Sequence, residues 1–203
     1  MPSWNKWDNI VREVNRPFRR AFAMPNLIVV LAKYSEVQAF AQKYHDEVFH
    51  EPTAIGADRL FAGLDPEKCQ ILNGDQSPRR YGFYLKLGDE TIGWHLAQQQ
   101  GGIVFSMEGS GIRPAYQGRG YYKRLLDAVV KLAREEGYAA LVSTHAANNN
   151  RIIVPKLRYG FFIKGFEINP RYGLDVKLIY YCNEAQKQAH DIRVGSRASF
   201  DDA

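Results

Sequence analysis

Three strand-like runs lie between residues 81 and 112: Tyr81 to Leu87, Thr91 to Gln99 and Ile103 to Ile112. Gly88-Asp89 and Gly101-Gly102 separate them, dipeptides suited to tight hairpin turns. Beyond Ile112 the period changes. Leu125, Val129, Leu132 and Ala133 recur at i, i+4, i+7 and i+8, which predicts a helix. Lys131 and Arg134 sit in its last turns, and Gly137 is placed to end it. A β-rich stretch follows (Ala140 to His145), then the polar Asn148-Asn149-Asn150-Arg151. A second helix-like stretch ends at Tyr159-Gly160-Phe161, and strand candidates follow at Phe161 to Ile168 and Leu174 to Cys182. Pro155 cannot donate to Arg151, so this helix is expected to kink or start late.

Upstream, Asn26 to Lys33 reads as a strand, and Ser35 is placed to cap a helix running through Phe49. That helix carries Val37, Phe40, Ala41 and Tyr44 on its inner face. Glu51 to Cys69 is irregular or holds a short helix near Ala57 to Ala62. The predicted order is β-α-α-β-β-β-α-β-α-β-β. Residues 1–25 form an extension whose Trp4, Trp7, Ile10, Val11, Val14 and Phe18 make an apolar stripe among arginines. Such a stripe folds back on the domain, docks a partner subunit in a homodimer, or lies on a membrane surface; the first two are preferred. Residues 183–203 mix charged and small residues and are expected to form a mobile tail.

At 203 residues, with 45% apolar and 24% charged positions, the chain suits one globular domain. No apolar run is long enough to span a bilayer, and the N-terminus lacks a signal-peptide apolar region. Cys69 and Cys182 belong to no metal-spaced cluster, and the five histidines show no metalloprotease spacing. A reduced, cytoplasmic setting without a metal is therefore expected. The net charge of +5 suits a protein that holds a polyanionic cofactor. With no run of like charges, neither a nucleic-acid nor a membrane partner is expected.

The passage from strand to helix carries the chemistry. Ile112-Arg113-Pro114 ends the strand, Gln117-Gly118-Arg119-Gly120 makes a tight loop, and Tyr121-Tyr122-Lys123 opens the helix. Such a loop turns several backbone N–H groups and a helix N-terminus toward one spot, an anion site suited to a diphosphate. Lys123 stands where a dinucleotide fingerprint needs its third glycine, Pro114 disqualifies Gly109-Ser110-Gly111, and there is no Walker sequence.

The loop fits the [QR]-x-x-G-x-[GA] pattern of the GCN5-related N-acetyltransferase (GNAT) superfamily as Gln117-x-x-Gly120-x-Tyr122, with Tyr122 in place of a small residue. The segment before Gly160-Phe161 also resembles the superfamily, with Asn149 on the family's Asn, Ile152 on its Ala and Lys156 on its Tyr. The resemblance covers about residues 26–182. It implies a mixed α+β fold with a partly splayed sheet of six to seven strands and about four helices. It further implies an acetyl-CoA-dependent N-acetyltransferase acting on a primary amine of a small molecule or a protein. Gly111 and Ile112 would then hold the pantetheine arm through their backbone. Gln117, Gly118, Arg119, Gly120, Tyr121 and Tyr122 would take the diphosphate, and Asn149 would meet the pantetheine from the far side of the splay. Arg119 is either a partner for further phosphate charge or a solvated surface residue, and Asn149 could instead simply cap its helix.

A proton acceptor for the amine follows from register. If Gly101-Gly102 form a two-residue turn, His95 faces Glu108, Ala97 faces Ser106 and Gly93 faces Ser110. Glu108 with His95 is then the candidate catalytic pair, unless a bulge shifts the register. The opposite face would carry Trp94, Leu96, Ile103, Phe105 and Met107 as core. The leaving-group acid stays unassigned among Tyr121, Tyr122 and Tyr159. The rival reading is a catalytically silent acyl-CoA-binding module, which Lys156 in the Tyr position favours. A basic adaptor for nucleic acid or membrane surfaces would instead show salt-dependent binding to polyanions.

Overall fold

The computed structural model describes residues 26–49 and 78–199. The apolar stripe of residues 1–25 and the segment from Glu51 to Cys69 lie outside them. Seven strands form one sheet: β1 (Leu27–Ala32), β2 (Arg80–Leu87), β3 (Glu90–Gln100), β4 (Val104–Ile112), β5 (Ala140–Ala146), β6 (Phe162–Asn169) and β7 (Gly173–Tyr181). Their spatial order is β1-β2-β3-β4-β5-β7-β6. The β4–β5 pair is parallel and the other neighbours are antiparallel. The described helices are α1 (Tyr34–Lys43), α2 (His45–Val48), α3 (Tyr121–Glu135), α4 (Asn150–Tyr159) and α5 (Glu184–Arg193). This is the mixed architecture that the resemblance implies. No described helix is long and apolar enough to cross a membrane.

α3 is the organiser of the main core. Leu125, Leu126, Val129, Leu132 and Ala133 are all buried, as the i, i+4, i+7 periodicity requires, against Phe83, Leu85, Phe105, Leu141 and Leu178 of the sheet. Gly137 (φ 84°) ends the helix. Its N–H donates to the Arg134 carbonyl and the Tyr138 N–H to that of Ala133, closing the last turn. A second cluster on the other face joins Val37 and Ala41 of α1 to Trp94 of β3. Gly82 makes this approach feasible, since a Cβ there would stand 2.8 Å from Val37 Cγ2.

Four expectations are corrected. The helix expected through Phe49 breaks at Tyr44 into α1 and α2, and its N-cap is Lys33 rather than Ser35, without a side-chain cap bond. The β3–β4 turn holds three residues, Gly101 to Ile103, because Gln100 pairs with Val104; Ile103 is consequently 57% exposed and not core. The expected tail forms α5 over residues 184–193. Asn183 caps it by accepting from the Gln186 N–H at 2.9 Å, and Lys187 pairs with Asp191 one turn on. Pro155 lies inside α4, which starts at Asn150, so the late start, one of the two expected outcomes, does not occur.

Candidate functional site

β4 pairs with β5 only from Val104–Ala140 to Met107–Ser143. Beyond that point the strands part, and the cause lies in β4 itself. Leu96 pairs with Gly109 and Ala97 with Met107, so Glu108 has no partner on β3 and forms a bulge. A bulge bends its strand and adds local twist, which turns residues 109–112 away from β5. The sheet therefore opens at one end, between the last part of β4 and the last part of β5.

The bulge also corrects the expected catalytic pairing. His95 faces Ser110 and not Glu108, Gln98 faces Ser106, and Gly93 faces Ile112. Glu108 is exposed. His95 is fully buried, with Nδ1 at 2.7 Å from Ser110 Oγ and Nε2 without a partner. The expected single apolar face divides as well: Trp94 and Leu96 pack toward α1, while Phe105 and Met107 join the core under α3.

A buried polar group gathers where the strands part. The Tyr122 hydroxyl is buried beside Ser110, without full hydrogen-bond geometry to any partner. Lys156 of α4 is buried, with Nζ 3.6 Å from Met107 Sδ and 5.2 Å from the Phe161 ring centre. Met107 is the last β4 residue paired to β5, so this amine sits at the vertex of the opening. Desolvation lowers its pKa to about 7. Burial, and then the nearby Lys156, lower His95 to about 3. The same two causes lower His145 to about 3, and its Nε2 lies 3.2 Å from Ser143 Oγ. At neutral pH both imidazoles are uncharged. Sequence reading missed the Lys156–His95–His145 group, because its members come from three elements and share no motif.

The loop after β4 is built from backbone. Pro114–Tyr116 make one 3-10 turn, and the Gln117 side chain donates to the Ile112 carbonyl at 2.8 Å, folding the loop back on the strand end. Gly118 (φ 74°) and Gly120 (φ 76°) adopt the left-handed conformation that glycine tolerates, and Gly120 is the N-cap of α3. No heavy atom lies within 4 Å of where either Cβ would stand, and residues 117–120 are exposed. The Lys123 N–H donates to the Gly120 carbonyl at 3.1 Å, while the N–H groups before it precede the first intrahelical bond, so an anion in this open space would meet them and the positive end of the helix. The loop thus has the open backbone and helix-end geometry of an anion site.

The remaining expected positions divide by what holds them. Tyr122 occupies the small-residue place of the loop by turning its ring inward against the core, which leaves the loop face clear. Tyr121 is buried in the core. Gly111 has a packing reason: a Cβ there would stand 2.3 Å from the Trp94 ring. Arg119 is exposed, 5.9 Å from the Tyr116 ring centre. Asn149 is the N-cap of α4, but its side chain makes no capping bond. Tyr159 is turned toward Asp127 of α3, its hydroxyl pKa raised by burial and by that carboxylate. Among the described residues no three His, Cys, Asp or Glu side chains gather as a metal site.

A mixed sheet parted between two parallel strands, with a glycine loop and helix N-terminus at the mouth, defines an acyl-CoA-type transferase scaffold. The profile of the acetyltransferase (GNAT) family matches residues 38–161, more than half of the chain. The chain belongs to this family. No curated protein matches it in sequence.

Solved structures share the fold at low identity. The ribosomal-protein-S18-alanine N-acetyltransferase of Escherichia coli is 18% identical, with TM-score 0.54, over 77% of this chain and 94% of that one. A Salmonella typhimurium protein assigned as an acetyltransferase and solved with its cofactor acetyl-CoA is 17% identical, with TM-score 0.55, over 79% and 96%. The spermidine/spermine N-acetyltransferase of Vibrio cholerae is 13% identical, with TM-score 0.54, over 81% and 98%.

Proposed function

We propose that the protein is an N-acetyltransferase that takes its acyl group from acetyl-CoA and passes it to a primary amine by direct attack on the thioester. The observation that carries this reading is the parting of β4 from β5 at the Glu108 bulge, beside an open loop of left-handed glycines. Gly111 and Ile112 would hold the pantetheine arm through their backbone, Gln117 to Tyr122 the diphosphate, and the uncapped Asn149 amide the far side of the arm. When bound, the cofactor supplies an activated acyl carbonyl and a thiol leaving group. Glu108, exposed on the bulge, is the group placed to accept the proton of an incoming ammonium. His95 is buried opposite Ser110 and acts as a positioning residue, holding Ser110 and the strand end. The related folds named above carry acceptors as different as a protein alanine and a polyamine, so the scaffold leaves the amine open.

A second reading, acyl-CoA binding without turnover, is favoured by the tyrosines. Tyr121 is in the core, Tyr159 faces Asp127, and Lys156 in the family's Tyr position is buried. Thermal unfolding tests the shared part of both readings. Acetyl-CoA at a hundredfold excess over Kd should stabilise the protein by about 2.7 kcal/mol. Gly120→Val should abolish most of that gain, because valine resists φ 76° and fills the open space. No shift at millimolar acetyl-CoA would overturn both readings. CoA release across an amine panel then separates them: release marks the transferase, and its absence the silent binder.

A further inference from the structure

β6 ends the sheet on the side opposite β1, so one of its edges has no strand beside it among the described residues. Ile163, Phe166 and Ile168 are 47%, 64% and 82% exposed, and Leu174 of β7 is 51% exposed. Register places Ile163 opposite Leu178, Phe166 opposite Val176 and Ile168 opposite Leu174, so all four lie on one face of the sheet. Val176 and Leu178 on that face belong to the main core. The core face thus continues past its cover onto an open edge strand of eight residues. Soluble proteins normally blunt such an edge with charge, proline, a bulge or short length; here Lys164, Glu167 and a register slip interrupt the strand but leave Phe166 and Ile168 uncovered.

We propose that this edge is a self-association surface, on which β6 pairs antiparallel with β6 of a second copy about a twofold axis at Phe166. Symmetry then fixes the register, and it can be checked against the strand's own irregularity. Phe166 opposes itself, and Gly165 opposes Glu167 of the second copy. The register with β7 slips between Ile163 and Gly165, which removes Lys164 from the count. Ile163 therefore meets Ile168 of the second copy, where an unbroken strand would bring Asn169. The bulge is what puts the apolar residues of both copies on one face, a self-complementary pattern of the kind an isologous interface requires. Glu167 falls near the bulged Lys164 of the other chain, so opposite charges meet and no like charges face each other. The chain's own apolar stripe at residues 1–25 is the rival occupant. It enters the fold at β1, six strand spacings or about 29 Å across the sheet from β6.

Disulfide trapping tests the axis, in the full chain with Cys69 and Cys182 replaced by serine. Phe166→Cys places two Cα atoms about 4.5–5.5 Å apart across the pair, within the range a disulfide spans. Ile168→Cys would set its two copies roughly 13 Å apart, out of reach. Sedimentation of the wild type should show a dimer at micromolar concentration. Mild oxidation should cross-link Phe166→Cys and leave Ile168→Cys largely uncoupled. Phe166→Lys should weaken the dimer by about tenfold or more, roughly 1.4 kcal/mol, while melting normally and keeping its response to acetyl-CoA. A monomeric wild type would overturn the proposal, as would a dimer indifferent to Phe166→Lys, or equal cross-linking at both positions. A monomer whose Trp4 and Trp7 fluorescence changes in Phe166→Lys would assign the face to residues 1–25 instead. Because the response to acetyl-CoA is read on the same samples, failure of the interface is distinguishable from failure of the transferase reading.

Discussion

From Glu108 to Ile112, one stretch of β4 joins two regions that are held together differently. At its far end the loop of residues 117–120 is exposed and shaped by backbone: two left-handed glycines, a 3-10 turn and the bond from Gln117 to the Ile112 carbonyl. At its near end the vertex is shaped by buried and half-buried side chains from β3, β4, β5, α3 and α4, with His95 and Lys156 buried and Ser110 and Tyr122 half-buried. The loop leaves its donors open toward solvent, as suits a site for a charged ligand. The vertex buries polar atoms without satisfying all of them, His95 Nε2 and the Tyr122 hydroxyl included. The proposed binding and positioning would thus be divided between a backbone device and a side-chain device a few residues apart.

Glu108 is the one ionisable group of the bulge that faces solvent, and it gives the largest expected effect. Glu108→Gln should lower turnover by on the order of a hundredfold while leaving acetyl-CoA affinity within about twofold, since a general base acts on the acceptor alone. Steady-state rates beside calorimetric titration of the cofactor check it. Unchanged turnover would remove Glu108 from the chemistry and leave the bulge only its strand-bending role.

A pair of glycine substitutions sharpens the contrast between the two regions. Gly111→Ala should cost about 1–3 kcal/mol through overpacking, because its Cβ would stand 2.3 Å from the Trp94 ring. Gly118→Ala meets no atom within 4 Å, so its cost is conformational, about 1–2 kcal/mol for a left-handed alanine. Trp94→Leu should therefore restore part of the loss in Gly111→Ala and none of that in Gly118→Ala. Equal rescue of both, read from denaturant midpoints, would show that the loop is packed and not backbone-held.

The same contrast explains what could be read from the sequence. Gly118, Gly120 and the helix behind them follow from local rules of turn and period, so the loop, α3 and the order of elements along the chain were legible. The β3–β4 register was not, because Gly101-Gly102 suits a two-residue turn while the chain uses Ile103 as a third. The bulge at Glu108 then shifts the count again toward the open end. Two such slips were enough to replace the expected Glu108–His95 pair with His95–Ser110. Lys156 was visible only as a departure from a family pattern; its burial depends on Met107 of β4, 49 residues away, as well as on the nearby Phe161. The α5 helix was missed because its packed contacts are few and its cap, Asn183, stands in a segment of mixed charge.

A further effect is expected at the vertex, in the dependence of stability on proton binding. The groups facing the Lys156 amine are His95 from β3, His145 from β5, Met107 from β4 and the Phe161 ring, and none is a carboxylate. Desolvation lowers Lys156 from 10.5 to about 7. Between those values the unfolded chain holds a proton that the folded protein lacks, so stability rises with pH across that window and the full penalty applies below it. His95 and His145, lowered from 6.5 to about 3, give a separate rise between about pH 3 and 6.5. Lys156→Met keeps an apolar stem of similar length against Met107 and Phe161. It should abolish the rise above pH 7. The acid-side rise should persist, since desolvation is the leading cause of both histidine shifts. Melting temperatures of the two proteins from pH 4 to 10 read both limbs. A wild-type curve that is flat above pH 7, or a Lys156→Met curve with the same alkaline slope, would show that the amine reaches solvent and that the vertex is open like the loop.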